Sequence, residues 1–132
     1  MFKKKKGSQR IDSLIGHGTQ FDGELRFSGG LRVDGIVTGN VVAVDAQHGT
    51  LVVSEKARID GGVRATHLIL NGEIAGPIEV SHYVELQPKA RVHGDLTYKT
   101  LEMHPGAVIE GRLIPLEGAR MVTPAEVADG VD

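Results

Sequence analysis

From residue 13 to residue 113 apolar and polar side chains alternate in short runs, as in Leu51-Val53, Ala57-Ile59 and Val63-Ala65. A period of two is that of a β-strand, and the period of about 3.6 that marks an amphipathic helix never emerges. The runs also repeat. Ala57-Arg58-Ile59-Asp60-Gly61-Gly62-Val63, Ala90-Arg91-Val92-His93-Gly94-Asp95-Leu96 and Ala107-Val108-Ile109-Glu110-Gly111-Arg112-Leu113 share the form small-x-aliphatic-x-Gly-x-aliphatic, and Thr19-Gln20-Phe21-Asp22-Gly23-Glu24-Leu25 fits with two substitutions. A longer template runs from Leu31 to Val41 and again from Leu68 to Ile78. Segments opening at Leu31, Leu51, Leu68, Val84 and Leu101 follow one another at 20, 17, 16 and 17 residues, a period of about 17.

Each unit is written in the same direction as the last, and Asp34-Gly35, Asp60-Gly61 and Asn71-Gly72 lie inside alternating runs, where a hairpin turn would need mirrored strands around them. Same-direction short strands recurring at a fixed step predict an all-β, single-domain parallel β-helix, a β-solenoid of about six triangular rungs over residues 13–114. At roughly 4.8 Å per rung such a coil is about 29 Å long. Val, Ile, Leu and Ala fill it, while Arg58, Asp60, Arg91, His93, Glu110 and Arg112 point outward. A basic tail, residues 1–12, precedes the coil, and a flexible tail, residues 115–132, follows it. In that last segment Thr123-Pro124-Ala125-Glu126 has the form of a helix capping box.

A coil leaves its first and last rungs with unpaired backbone groups over an open apolar core. Leu14, Ile15, Phe21, Leu25 and Phe27 mark the start, Leu101, Met103, Ile109 and Leu113 the finish, and neither end has an evident lid. Uncovered ends predict stacking of copies into a polymer, with these nine residues as the interface.

Eighteen glycines and 4% aromatic residues agree with a turn-rich β chain, and the absence of cysteine excludes disulfides, thiolate zinc sites, iron–sulfur clusters and thiol nucleophiles. The formal charge of -2 is unevenly distributed. Lys3, Lys4, Lys5, Lys6 and Arg10 stand without an acid in the first ten residues, whereas residues 11–113 hold nine basic and thirteen acidic side chains. An acidic body argues against nucleic-acid binding. Met1, Phe2, Lys3, Lys4, Lys5 and Lys6 instead suit a membrane surface carrying anionic lipids, each Lys contributing about 1 kcal/mol and Phe2 about 1.5–3 kcal/mol. No apolar run approaches the roughly 18 residues of a membrane span, so a cytoplasmic location is expected.

No phosphate-binding loop occurs, and His17, His48, His67, His82, His93 and His104 show no metal-binding spacing. His93 and His104 are expected as solvated outward side chains. No catalytic, cofactor or metal residues follow from the sequence, and no nucleotide. The enzyme alternative is a trimeric left-handed hexapeptide helix of the acyltransferase or γ-carbonic anhydrase type, since Val53, Ala57, Ile59 and Val63 also satisfy its spacing; Ser54, Gln87 and His104 after the aliphatic positions, and the uneven steps, depart from it.

On Phe21-Asp22-Gly23-Glu24-Leu25, Leu31-Arg32-Val33-Asp34-Gly35 and Ala90-Arg91-Val92-His93-Gly94-Asp95-Leu96, residues 11–113 resemble the bactofilins, bacterial cytoskeletal proteins. The resemblance implies a right-handed coil and nucleotide-independent, non-polar filaments. It further implies a scaffold on the inner face of the cytoplasmic membrane, serving cell shape or wall synthesis, with cell-wall enzymes or other scaffold proteins as the partners such a role admits. Met1-Phe2-Lys3-Lys4-Lys5-Lys6 is similar to the membrane-targeting start of many members. Where many members have Phe in the last rung, this chain has Ile109.

Overall fold

Alternating side chains and glycine-marked corners divide the chain into strands of three to ten residues. The structure, a computed structural model, describes residues 10–124. The strands are β1 (Ser13–Ile15), β2 (Gln20–Asp22), β3 (Leu25–Phe27), β4 (Gly29–Val33), β5 (Ile36–Thr38), β6 (Val41–Ala43), β7 (Gly49–Val53), β8 (Arg58–Asp60), β9 (Val63–Leu70), β10 (Glu73–Ala75), β11 (Ile78–Leu86), β12 (Arg91–His93), β13 (Leu96–Met103), β14 (Val108–Glu110) and β15 (Leu113–Val122). All strand pairs among the described residues are parallel.

They wind into a β-solenoid of about six turns with three faces. β2, β5, β8, β10, β12 and β14 stack as the first face. The second stacks β3, β6 and the leading halves of β9, β11, β13 and β15. The third stacks β1, β4, β7 and the trailing halves of the same four. Those four strands run around a corner without breaking, and the bend registers as slips at Val80/Tyr83, Glu79/Tyr83 and Tyr98/Thr100. The third face therefore has seven levels and the others six.

Stacking turns the sequence repeat into columns of like side chains. Leu31, Leu51, Leu68, Val84 and Leu101 are successive cross-strand partners on the third face, all buried. Val37, Ile59, Ile74 and Val92 form such a column on the first face, and Val41, Val63, Ile78 and Leu96 on the second. Each such side chain contributes about 1.5–3 kcal/mol by leaving water.

The corner after the first face is narrow enough to dictate its residue. Gly39, Gly61, Gly76, Gly94 and Gly111 lie one above another, and a Cβ on any of them would press into the carbonyl of the glycine one level below. The N–H groups of Gly23, Gly39, Gly61, Gly76 and Gly94 donate to Thr38, Asp60, Ala75, His93 and Glu110 on the next level, so the corner continues the ladder.

Two features depart from the sequence reading. The second turn is longer than the three that follow it, because residues 44–48 bulge out between β6 and β7, closed by Asp45 accepting from the Gln47 N–H at 2.8 Å. At the other end, where a flexible tail is expected from residue 115, the chain continues as β15 to Val122, with Arg120, Met121 and Val122 set against Thr100, Leu101 and Glu102. Pro115 is compatible with this because β15 has a partner on one side only among the described residues, and a proline missing its N–H is tolerated on an edge strand. Of the capping-box segment only Thr123 and Pro124 lie within the described residues.

Candidate functional site

The features with functional potential are the two ends. Among the described residues β1, β2 and β3 each have one neighbour, as do β14 and β15, so both terminal levels present strand edges without a partner there. The inward columns end there too. Ile15 lies under Val33, Phe21 under Val37, Leu25 under Val41 and Phe27 under Ala43. Ile109 tops the Val92 column, Leu113 the Leu96 column and Met103 the Leu86 column. Ile15, Phe21, Leu25, Met103 and Ile109 are half-buried, each packed against the core on one side.

Three of the nine expected end residues are not open ends of an apolar column. Leu14 is exposed but belongs to an outward column, opposite Arg32, because strand alternation turns Ser13 and Ile15 inward and Leu14 out. Leu101 is fully buried, since the unanticipated extension of β15 places Met121 over it. Phe27 closes its column but is only 8% exposed. Met121, 54% exposed above the Leu101 column, is the end residue that sequence reasoning missed. Its signal was the spacing of 20 residues from Leu101, equal to the step from Leu31 to Leu51. Met1, Phe2, Lys3, Lys4, Lys5 and Lys6 lie outside the described residues.

The outer surface carries ion pairs that link levels. Arg58 holds Asp60 and Glu73, both at 2.7 Å, and His93 reaches Glu73 through Nε2 at 2.7 Å and Glu110 through Nδ1 at 2.8 Å. Glu110, then Glu73, raises the His93 pKa above its ordinary 6.5, and Arg58, then His93, keeps Glu73 below the ordinary carboxylate range. On the third face His104 Nε2 lies 3.0 Å from both Glu85 and Glu102, and the Tyr83 hydroxyl donates to Glu102. Burial, then Glu102, pushes the Tyr83 hydroxyl well up. His67 and His82 stack with ring centroids 5.6 Å apart, and burial lowers the His67 pKa. His93 and His104 thus point outward as expected but are engaged by carboxylates, not simply solvated.

A histidine whose folded-state pKa is raised stabilises the fold below its unfolded value near 6.5, and that stability is lost as pH rises through the higher folded value. The melting temperature should therefore fall over the range just above pH 6.5 by more in the wild type than in His93→Gln. Circular-dichroism melts at a series of pH values check this.

Stacked edges over open columns are the geometry of a chain that can add to itself. The family model described as Bactofilin, polymer-forming cytoskeletal, matches residues 13–114. The chain belongs to the bactofilin family. No curated protein and no solved structure matches it. The matched residues of this bactofilin span β1 to the start of β15, which is all of the first face and nearly all of the buried core. The family is a structural, cytoskeletal one, in contrast to the hexapeptide-repeat enzymes. Levels on the first face follow at steps from 15 residues (Arg58 to Glu73) to 22 (Ile36 to Arg58), far from a strict hexapeptide count. No helix among the described residues is long and apolar enough to cross a membrane.

Proposed function

We propose that this chain is a bacterial cytoskeletal scaffold that polymerises end to end without nucleotide. The observation carrying this reading is that the inward columns stop at Phe21 and Leu25 on one terminal level and at Leu113 and Met121 on the other, beside strand edges that have no partner among the described residues. A second copy on either end covers that apolar surface and pairs those edges. Electron microscopy and sedimentation of the purified full chain in nucleotide-free buffer should show filaments at micromolar concentration. A monodisperse monomer there would refute the reading.

The N-terminal tail attaches the polymer to the inner face of the cytoplasmic membrane. Four lysines at about 1 kcal/mol each give a single tail only weak affinity, and a polymer that displays tails in a row gains strength by multivalency. The scaffold so placed organises cell shape or wall synthesis. Deleting residues 2–6 should abolish co-pelleting with phosphatidylglycerol vesicles while filaments persist; undiminished co-pelleting would remove the tail from this role.

A further inference from the structure

We propose that Glu85, Glu102 and His104 form a divalent-metal site of the kind that takes Zn2+. Glu85 and Glu102 are direct cross-strand partners on β11 and β13, and His104 follows β13 at the next turn. Their ligand atoms all lie within 4.8 Å of one another. Like charges facing each other across a parallel pair oppose the pairing unless something positive sits between them. The question is whether a proton or a metal fills that place.

The other histidine with two glutamates gives the contrast. His93 meets Glu73 and Glu110 through different ring nitrogens, so an imidazolium, with one N–H on each nitrogen, satisfies both. His104 meets Glu85 and Glu102 through the same nitrogen, each at 3.0 Å. One N–H aims at one oxygen, and the second carboxylate is left with a shared, bent contact. A cation at the point where the three atoms converge bonds all of them, and one imidazole nitrogen with two carboxylate oxygens is a donor set that suits Zn2+.

Charge and surroundings agree with this. Glu102 has a side chain only 7% exposed, and an imidazolium would leave the trio at a net negative charge, whereas a divalent ion with neutral imidazole brings it to zero. The Tyr83 hydroxyl donates to the other oxygen of Glu102, the outer-shell contact that orients a metal-binding carboxylate. His104 and Glu85, with side chains 24% and 22% exposed, leave a side open for entry and for a solvent ligand completing the coordination. The ion would clamp two successive levels just below the terminal one.

The test is equilibrium dialysis of the chelator-stripped, untagged full chain against micromolar Zn2+, which counts metal whether or not the chain is assembled. One Zn2+ per chain is expected, lost in His104→Gln and in Glu85→Gln, retained in His93→Gln, and held about tenfold more weakly in Tyr83→Phe. Circular dichroism verifies the fold of each variant, and both ligand substitutions fall on partly exposed side chains. Absence of a stoichiometric ion in the wild type, or binding that survives both His104→Gln and Glu85→Gln, overturns the assignment.

Discussion

Leu113→Arg or Met121→Arg is expected to turn a sedimenting polymer into a small soluble species while leaving the fold intact. Both side chains are substantially exposed in the single chain, at 39% and 54%, so an arginine there costs the monomer little. In a stacked joint the same position lies over an apolar column, and an unpaired charge removed from water costs several kcal/mol. Since every 1.4 kcal/mol is tenfold in association, the concentration needed to polymerise should rise by about a hundredfold or more. Phe21→Arg tests the opposite end in the same way. Sedimentation velocity also distinguishes the two joint geometries. If unlike ends meet, one substituted end disables every joint and monomers result; if like ends meet, the untouched end still pairs and dimers persist. Filaments unchanged in all three variants would remove these ends from the interface.

Gly94→Ala is expected to destabilise the fold by about 2–4 kcal/mol, a large part of a typical domain's stability. Gly94 sits at a φ of 149°, and the added Cβ would lie 2.6 Å from the Gly76 carbonyl oxygen and 2.8 Å from its carbon. Backbone in an unfavourable region and overpacking each cost about 1–3 kcal/mol. The obstacle is another level's backbone, which cannot swing aside as a side chain can. Gly62 supplies the control. Its added Cβ would stop 3.4 Å from Asn40 Oδ1 and the Pro77 oxygen, an ordinary contact, so Gly62→Ala should be neutral or slightly stabilising. Urea denaturation of the two variants beside the wild type measures the difference.

The solenoid was legible because its core is a translational repeat. The inward residue of each level is aliphatic whatever its neighbours are, so the spacing of Leu31, Leu51, Leu68, Val84 and Leu101 gave the third-face column residue by residue. β15 was not legible beyond Ile114, because the last level has only one neighbour among the described residues and its side chains need not alternate: Leu116, Glu117 and Gly118 stand where a central strand would keep the pattern. The outward clusters were hidden for a different reason. Motif spacings such as three or four residues describe ligands on a helix, whereas in a coil the neighbours of a side chain lie one turn away. Glu85 and Glu102 are 17 residues apart in sequence and adjacent in space. The period of the coil itself, and not helical offsets, brings them together, and likewise His93 with Glu110.

The unequal heights of the faces bear on how a filament would wind. With seven levels on one face and six on the other two, copies stacked in one orientation would touch along a single face and gape along the others. A gap-free polymer of uniform polarity must therefore rotate each copy by a third of a turn, winding as a single-start screw in which equivalent surfaces recur on every third subunit.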